Sequence, residues 1–260
     1  MKNKLITFFL AFVLNLGSLS YSIGEEFNFN ITELQITDDG NIVKGINGGI
    51  VTTKDNEIVI TANNFKYNKL TTLLVAEGNV KLVDKTSNVV IESNEIFYLK
   101  NKEEVYTNGK SKALNANNIQ IDADQYFRYN KLTSLLEAKG NVKLNDKNKK
   151  IIIYTNEILY LKNEEKISTL GKTDINVEEK YKIEGYDITL LRNEMILSSN
   201  KKSTIRDNNL NIYKPDQFQY LINPEILKGK KIYVIKNELG NKEDKFFLKL
   251  DFSILKKINF

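Results

Sequence analysis

The chain has 260 residues, with 38 Lys and Arg against 33 Asp and Glu, a formal charge of +5, and no histidine, cysteine or tryptophan. Nucleophile–base triads, ordinary zinc sites, thiol chemistry and disulfides therefore lack their parts. The basic excess is too mild to argue for nucleic acid, since the lysines alternate with Asp and Glu instead of forming a stripe.

Lys2 and Lys4 precede an apolar run from Leu5 to Leu16, and Ser20-Tyr21-Ser22 follows with a small-x-small pattern. That predicts a cleaved signal peptide over 1–22, because the run is shorter than the roughly 20 residues that cross a bilayer as a helix. Its loss removes Lys2 and Lys4 and lowers the formal charge to +3. With no cysteine after the site, a lipid anchor has no attachment point.

Over 23–57, FNFNITELQI alternates apolar and polar residues, and Asp39-Gly40-Asn41 and Asn47-Gly48-Gly49 read as turns. GNIVKG at Gly40 echoes the later repeat only in part, which predicts an atypical first β unit, a cap or docking rung.

The repeat itself is clear. YNKLTTLLVAEGNVKLVDK at Tyr67 to Lys85 returns as YNKLTSLLEAKGNVKLNDK at Tyr129 to Lys147, 62 positions on. The clean copies occupy about 58–109 and 119–171, a signature of stacked units sharing one core. In both, Val80-Lys81-Leu82 and Val142-Lys143-Leu144 have a period of two, which is strand spacing. Val75 becomes Glu137 while Leu74 and Ala76 persist as Leu136 and Ala138, so the conserved parity is predicted to face inward. Gly78-Asn79 and Gly140-Asn141 supply positive φ and are predicted to close two-residue hairpins.

Val89 to Leu99 and Ile151 to Leu161 carry apolar residues on both parities, consistent with two covered faces or a bulge. Tyr181 to Ile235 reads as a third, degenerate unit, so the repeat domain spans 58–235. Its prolines, Pro215 and Pro224, are predicted at strand starts or edges. The stretch 236–260 reads as a terminal edge strand or a truncated continuation.

Carboxylate pairs for glycoside chemistry exist at Asp122-Ala123-Asp124 and Glu103-Glu104, but they fall in or beside predicted turns, and Glu104 is Lys166 in the next copy. They are read as solvated turn residues. What remains is a long apolar stripe of Val80, Leu82, Ile91, Ile96 and Tyr98 and their partners. If the layers touch, it is core. If they splay, it is a groove for alkyl chains.

The pattern I-x-A-x-x-F/Y-x-Y, A-x-G-N-V-K-L, S/T-x-E-I-x-Y-L, at Ile60 to Leu99 and again at Ile121 to Leu161, resembles the OstA-like (organic solvent tolerance N-terminal) domain family of lipopolysaccharide transport proteins. It looks most like the N-terminal domain of the LPS-assembly protein LptD or a free-standing LptA-like protein. The resemblance implies an all-β fold, an open twisted β-jellyroll of stacked antiparallel V-shaped rungs, in a periplasmic, non-enzymatic, cofactor-free protein. It implies that lipopolysaccharide acyl chains travel along Leu74, Ala76, Val80, Leu82, Ile91, Leu136, Ala138, Val142, Leu144 and Ile153. Its implied partners are lipopolysaccharide, sister OstA-like domains joined by edge-strand pairing, and an outer-membrane translocon. The alternative from another class is an exported structural or adhesive β-repeat protein with a closed core and a glycan-binding surface.

Overall fold

The computed structural model describes residues 21–22, 26–235 and 247–250, the two terminal segments by their backbone alone. The expected signal segment up to Ser20, and most of 236–260, lie outside the described residues. Period-two alternation becomes strand almost throughout. Phe27–Thr37, Ile42–Thr53, Leu73–Asp84, Val89–Leu99, Leu135–Asp146, Ile151–Leu161 and Lys166–Val177 are strands of 11 or 12 residues, each deflected near its middle. Between them the same course is covered by two short strands meeting at a corner, as in Ile58–Ala62 with Asn64–Asn68 or Ile119–Ala123 with Tyr126–Asn130.

Each bent course is a rung with two arms. Arm A holds the half containing 80–84, and arm B the half containing 73–77. Residues 80–84 pair with Ile58–Ala62 and 89–93, while 73–77 pair with Asn64–Asn68 and 95–99, all antiparallel. Successive rungs join by turns alternately at the tip of one arm and the tip of the other. The result is an all-β meander stacked on itself, and one 62-residue copy is four rungs.

Gly78-Asn79 and Gly140-Asn141 do not close hairpins, contrary to the sequence expectation. They lie inside Leu73–Asp84 and Leu135–Asp146, where the ladder register shifts between Glu77 and Val80 and between Lys139 and Val142. Their positive φ values (+78° and +50°, +88° and +45°) bend the strand as a bulge and leave its direction unreversed. Both halves stay in the ladder because the flanking rungs bend at the same level. Asn47-Gly48 is likewise the bend of Ile42–Thr53, whereas Asp39-Gly40-Asn41 is a true turn.

The actual hairpins carry a different signal, an Asn or Asp that ends the strand and caps the turn. Asp84 Oδ1 accepts from the N–H groups of Thr86 and Ser87, both at 3.0 Å, and Asp146 Oδ1 from Lys149 N at 3.0 Å. Asn68 and Asn130 do the same on arm B.

The parity prediction holds: Leu74, Ala76, Leu136 and Ala138 are buried, while Val75 and Glu137 face outward. In Val89–Leu99 the buried positions switch from Val89 and Ile91 to Ile96 and Tyr98, so the mixed parity there marks a bulge and not two covered faces. Residues 181–235 continue the stack with strands of 3 to 6 residues. Pro215 sits at a bend and Pro224 in a turn, so neither interrupts a ladder. Ile42–Thr53 pairs with both Phe27–Thr37 and Ile58–Ala62, which makes the first unit part of the same stack. Phe247–Leu250 pairs with Ile232–Ile235 and is the last strand among the described residues.

Candidate functional site

The inward positions of both arms form one apolar column through the stack. Val80, Leu82, Ile91, Val142, Leu144 and Ile153 come from arm A, and Leu74, Ala76, Leu136 and Ala138 from arm B. All ten are buried, none more than 5 % exposed. The structure brings these ten residues into one interior, and they do not line an open groove. A gap between the facing tips, bordered by Val89, Ile121, Tyr129, Leu136 and Tyr160, holds about 20 Å³. That is room for about one water and not for an alkyl chain.

Two further columns close the interior, one of tyrosines, of which the sequence-derived stripe includes Tyr98 and Tyr160 without their 31-residue recurrence, and one of polar residues outside that stripe. On arm B, Tyr67, Tyr98, Tyr129 and Tyr160 recur every 31 residues, all fully or nearly fully buried. On arm A, Thr53, Asp84, Asn115 and Asp146 recur at the same interval at the ends of their strands. The 62-residue copy is therefore two 31-residue units of two rungs each. The recurring tyrosine was the available signal.

The columns meet at the seam between the arm tips. Tyr129 donates to Asp84 Oδ2 at 3.0 Å, and Asn115 Nδ2 donates to the Tyr160 hydroxyl at 3.4 Å. Burial pushes the Tyr98, Tyr129 and Tyr160 phenols well above their ordinary range, and nearby carboxylates add to this, so these tyrosines stay protonated donors. Tyr98 donates to Glu103 Oε2 at 2.6 Å, and Lys100 pairs with the same carboxylate. Glu103 is thus a paired residue at the arm-B tip and not the freely solvated turn residue expected. Asp122 and Asp124 accept from Gln120 and Asn141, which leaves them as surface partners.

A third set is cationic. The arm-B turns open with Lys69, Lys100, Lys131, Lys162 and Arg192, thirty or thirty-one residues apart. Lys131 pairs with Glu57, Lys162 donates to the Ser87 carbonyl, and Arg192 Nη2 donates to the Asn117 carbonyl at 3.4 Å, each 74 or 75 positions along the chain. Arg192 Nε also lies 2.5 Å from Asp146 Oδ2 and Nη1 2.7 Å from Glu165 Oε2, with its side chain 6 % exposed. Burial by itself would lower the Arg192 pKa. The bonds to Asp146 and Glu165 outweigh that and raise it, so the guanidinium stays charged. The arms are staggered, so each arm-A turn meets arm-B turns further along the chain. Among the described residues, the first three arm-B turns, 38–41, 69–72 and 100–103, make no hydrogen bond to an arm-A turn, and Leu70 in the second is 74 % exposed.

No protein-family model matches the chain, and no curated protein matches it. Among the described residues no group of three or more Asp and Glu is placed to hold a metal, and no helix is long and apolar enough to cross a membrane. The arrangement presents an apolar interior of continuous length, bounded by backbone at the bend and by polar side chains at the seam.

Proposed function

We propose that this protein is a periplasmic lipid conduit of the OstA-like kind, which takes the acyl chains of lipopolysaccharide into its interior and passes them toward the outer membrane. The supporting observation is the unbroken apolar column, which runs from Phe27 on the first bent rung to Val234 on the last one whose side chains are described. An alkyl chain lying in such a column gains roughly 0.8 kcal/mol per buried CH₂. It makes no directional bonds, so it can shift from rung to rung. Lengthwise travel needs that combination. Sister domains would join at the terminal rungs, where Glu33–Thr37 and Ile226–Lys230 each pair on one side only among the described residues.

The closed seam favours a second reading, an exported structural β-repeat protein whose interior is only core. A photo-crosslinking residue at Val142 separates the two. The conduit reading expects light-dependent labelling of lipopolysaccharide in cells. Labelling confined to neighbouring rungs of the same chain would overturn it and leave the structural reading. Val142→Asp is expected to abolish lipid capture, and a retained β circular-dichroism spectrum distinguishes that loss from unfolding.

A further inference from the structure

The two edges of the interior are built differently. At the bend, each strand's own backbone crosses from arm to arm. Hydroxyl pairs reinforce the crossing: Ser111 donates to Thr107 Oγ1 and Thr173 to Thr169 Oγ1, each at 2.7 Å. At the seam, no backbone–backbone hydrogen bond among the described residues joins an arm-A turn to an arm-B turn. The turn-to-turn backbone bonds stay within one arm, as in Lys85 N to Glu57 O on arm A and Lys131 N to Glu103 O on arm B. Among the described residues the polar bridges across the seam are made by side chains, among them Tyr129 to Asp84, Asn115 to Tyr160, Lys131 to Glu57, Lys162 to Ser87, Asn117 to Glu165, Arg192 to Asp146, and Tyr181 to Glu225.

The bridges Lys131–Glu57 and Asn117–Glu165 reach solvent, where side-chain pairs are individually weak and exchange with water; Tyr129–Asp84 and Arg192–Asp146 are buried and hold more firmly, while the ladders on either side are cooperative. The stack therefore has one line along which it can part without breaking a strand. The bulges at Gly78-Asn79 and Gly140-Asn141 lie opposite that line, where a small change in φ and ψ would swing one arm from the other.

We propose that the seam is a side-chain latch, held by Lys131, Lys162 and Arg192, that parts to admit an alkyl chain sideways into the interior and closes when the chain leaves. This rests on the conduit reading and specifies how its site is reached. Parting an empty interior exposes apolar surface to water. The latch thus stays shut in the empty protein and yields when an incoming chain takes the place of the facing arm.

The test measures the rate at which the full chain takes up a pyrene-labelled acylglycerol, a neutral probe, read by pyrene emission. Lys131→Gln and Lys162→Gln weaken the latch at positions that also touch solvent, and thermal melts check that both variants fold. Each is expected to speed uptake several-fold. A second variant carries Asn117→Cys and Glu165→Cys, whose native side chains touch at 3.2 Å across the seam. The chain has no other thiol, so a short cleavable bis-thiol reagent staples the seam alone. Stapling is expected to stop uptake and cleavage to restore it. Uptake at an unchanged rate in the Gln variants and in the stapled protein would overturn the latch and leave a conduit filled from its ends. No uptake by any form, including the wild type, would remove the conduit reading and the latch with it.

Discussion

Gly140 has a φ of +88°, and a Cβ added there would lie 2.4 Å from Gln125 Cγ and 2.9 Å from its backbone nitrogen. Strain and collision act together, so Gly140→Ala is expected to destabilise the protein by about 1–3 kcal/mol, measured as a shift of the urea midpoint. Gly40 also has positive φ, +89°, but an added Cβ meets nothing within 4 Å, so Gly40→Ala should cost less. A second residue-scale prediction concerns the outer face. Tyr126 donates to Glu137 Oε1 at 2.7 Å, and that bond, with a smaller push from burial, raises the phenol to about 12. Glu137→Val restores the residue found at Val75 in the other copy. The Tyr126 titration, followed by ultraviolet absorbance, is then expected to fall back toward 10.0 with no change in fold. The copy comparison was a sound guide here, since it identified 75 and 137 as outward positions from their tolerance of change.

The turns were the least legible elements. A Gly-Asn pair between two alternating segments is compatible with a hairpin and with a bulge, because the local dihedral demand is the same. What decides between them is whether the following segment folds back on the preceding one or keeps the neighbours the strand already has. Residues 80–84 keep theirs, Ile58–Ala62 and 89–93, so the pair bends the rung. The true turns rest on side-chain caps, and the first arm-A turn shows their pH dependence. Asp55 Oδ1 accepts from Thr53 Oγ1 at 2.5 Å and from Glu57 N at 3.0 Å. The bond from Thr53, opposed by burial and aided by Glu57 and by the distant Lys100 and Lys131, holds the carboxyl below its ordinary 3.8. A depressed folded pKa contributes stability that is fully present above 3.8 and is lost as pH falls through the lower folded value. Asp55→Asn is therefore expected to be less stable than the parent near neutral pH. The gap between the two should close in acid, as read from thermal melts across that range.

As a whole the molecule is a quasi-one-dimensional stack in which the ladder of each rung pairs only with its neighbours, so the ladder part of its stability is a sum of local terms, to which the seam adds side-chain bonds between more distant rungs. Rungs in 73–177 include strands of 11 or 12 residues, whereas those in 181–235 are assembled from strands of 3 to 6. Amide exchange followed by mass spectrometry is expected to show the 204–235 rungs opening first and the 135–161 rungs last. Equal protection along the stack would mean that the seam, and not the ladders, sets the opening unit.

Period-two alternation, the parity shared by two copies and the 62-residue return were enough to determine strands, their inward face and a continuous interior. They are local or repeated features, and each copy reports on them independently. Whether the facing layers touch was decided by contacts between residues 44 to 46 and 74 to 75 positions apart, such as Asp84 with Tyr129 and Glu57 with Lys131. Those separations come from the stagger of one arm against the other. The stagger joins segments separated by several rungs, so no single segment of the chain encodes it.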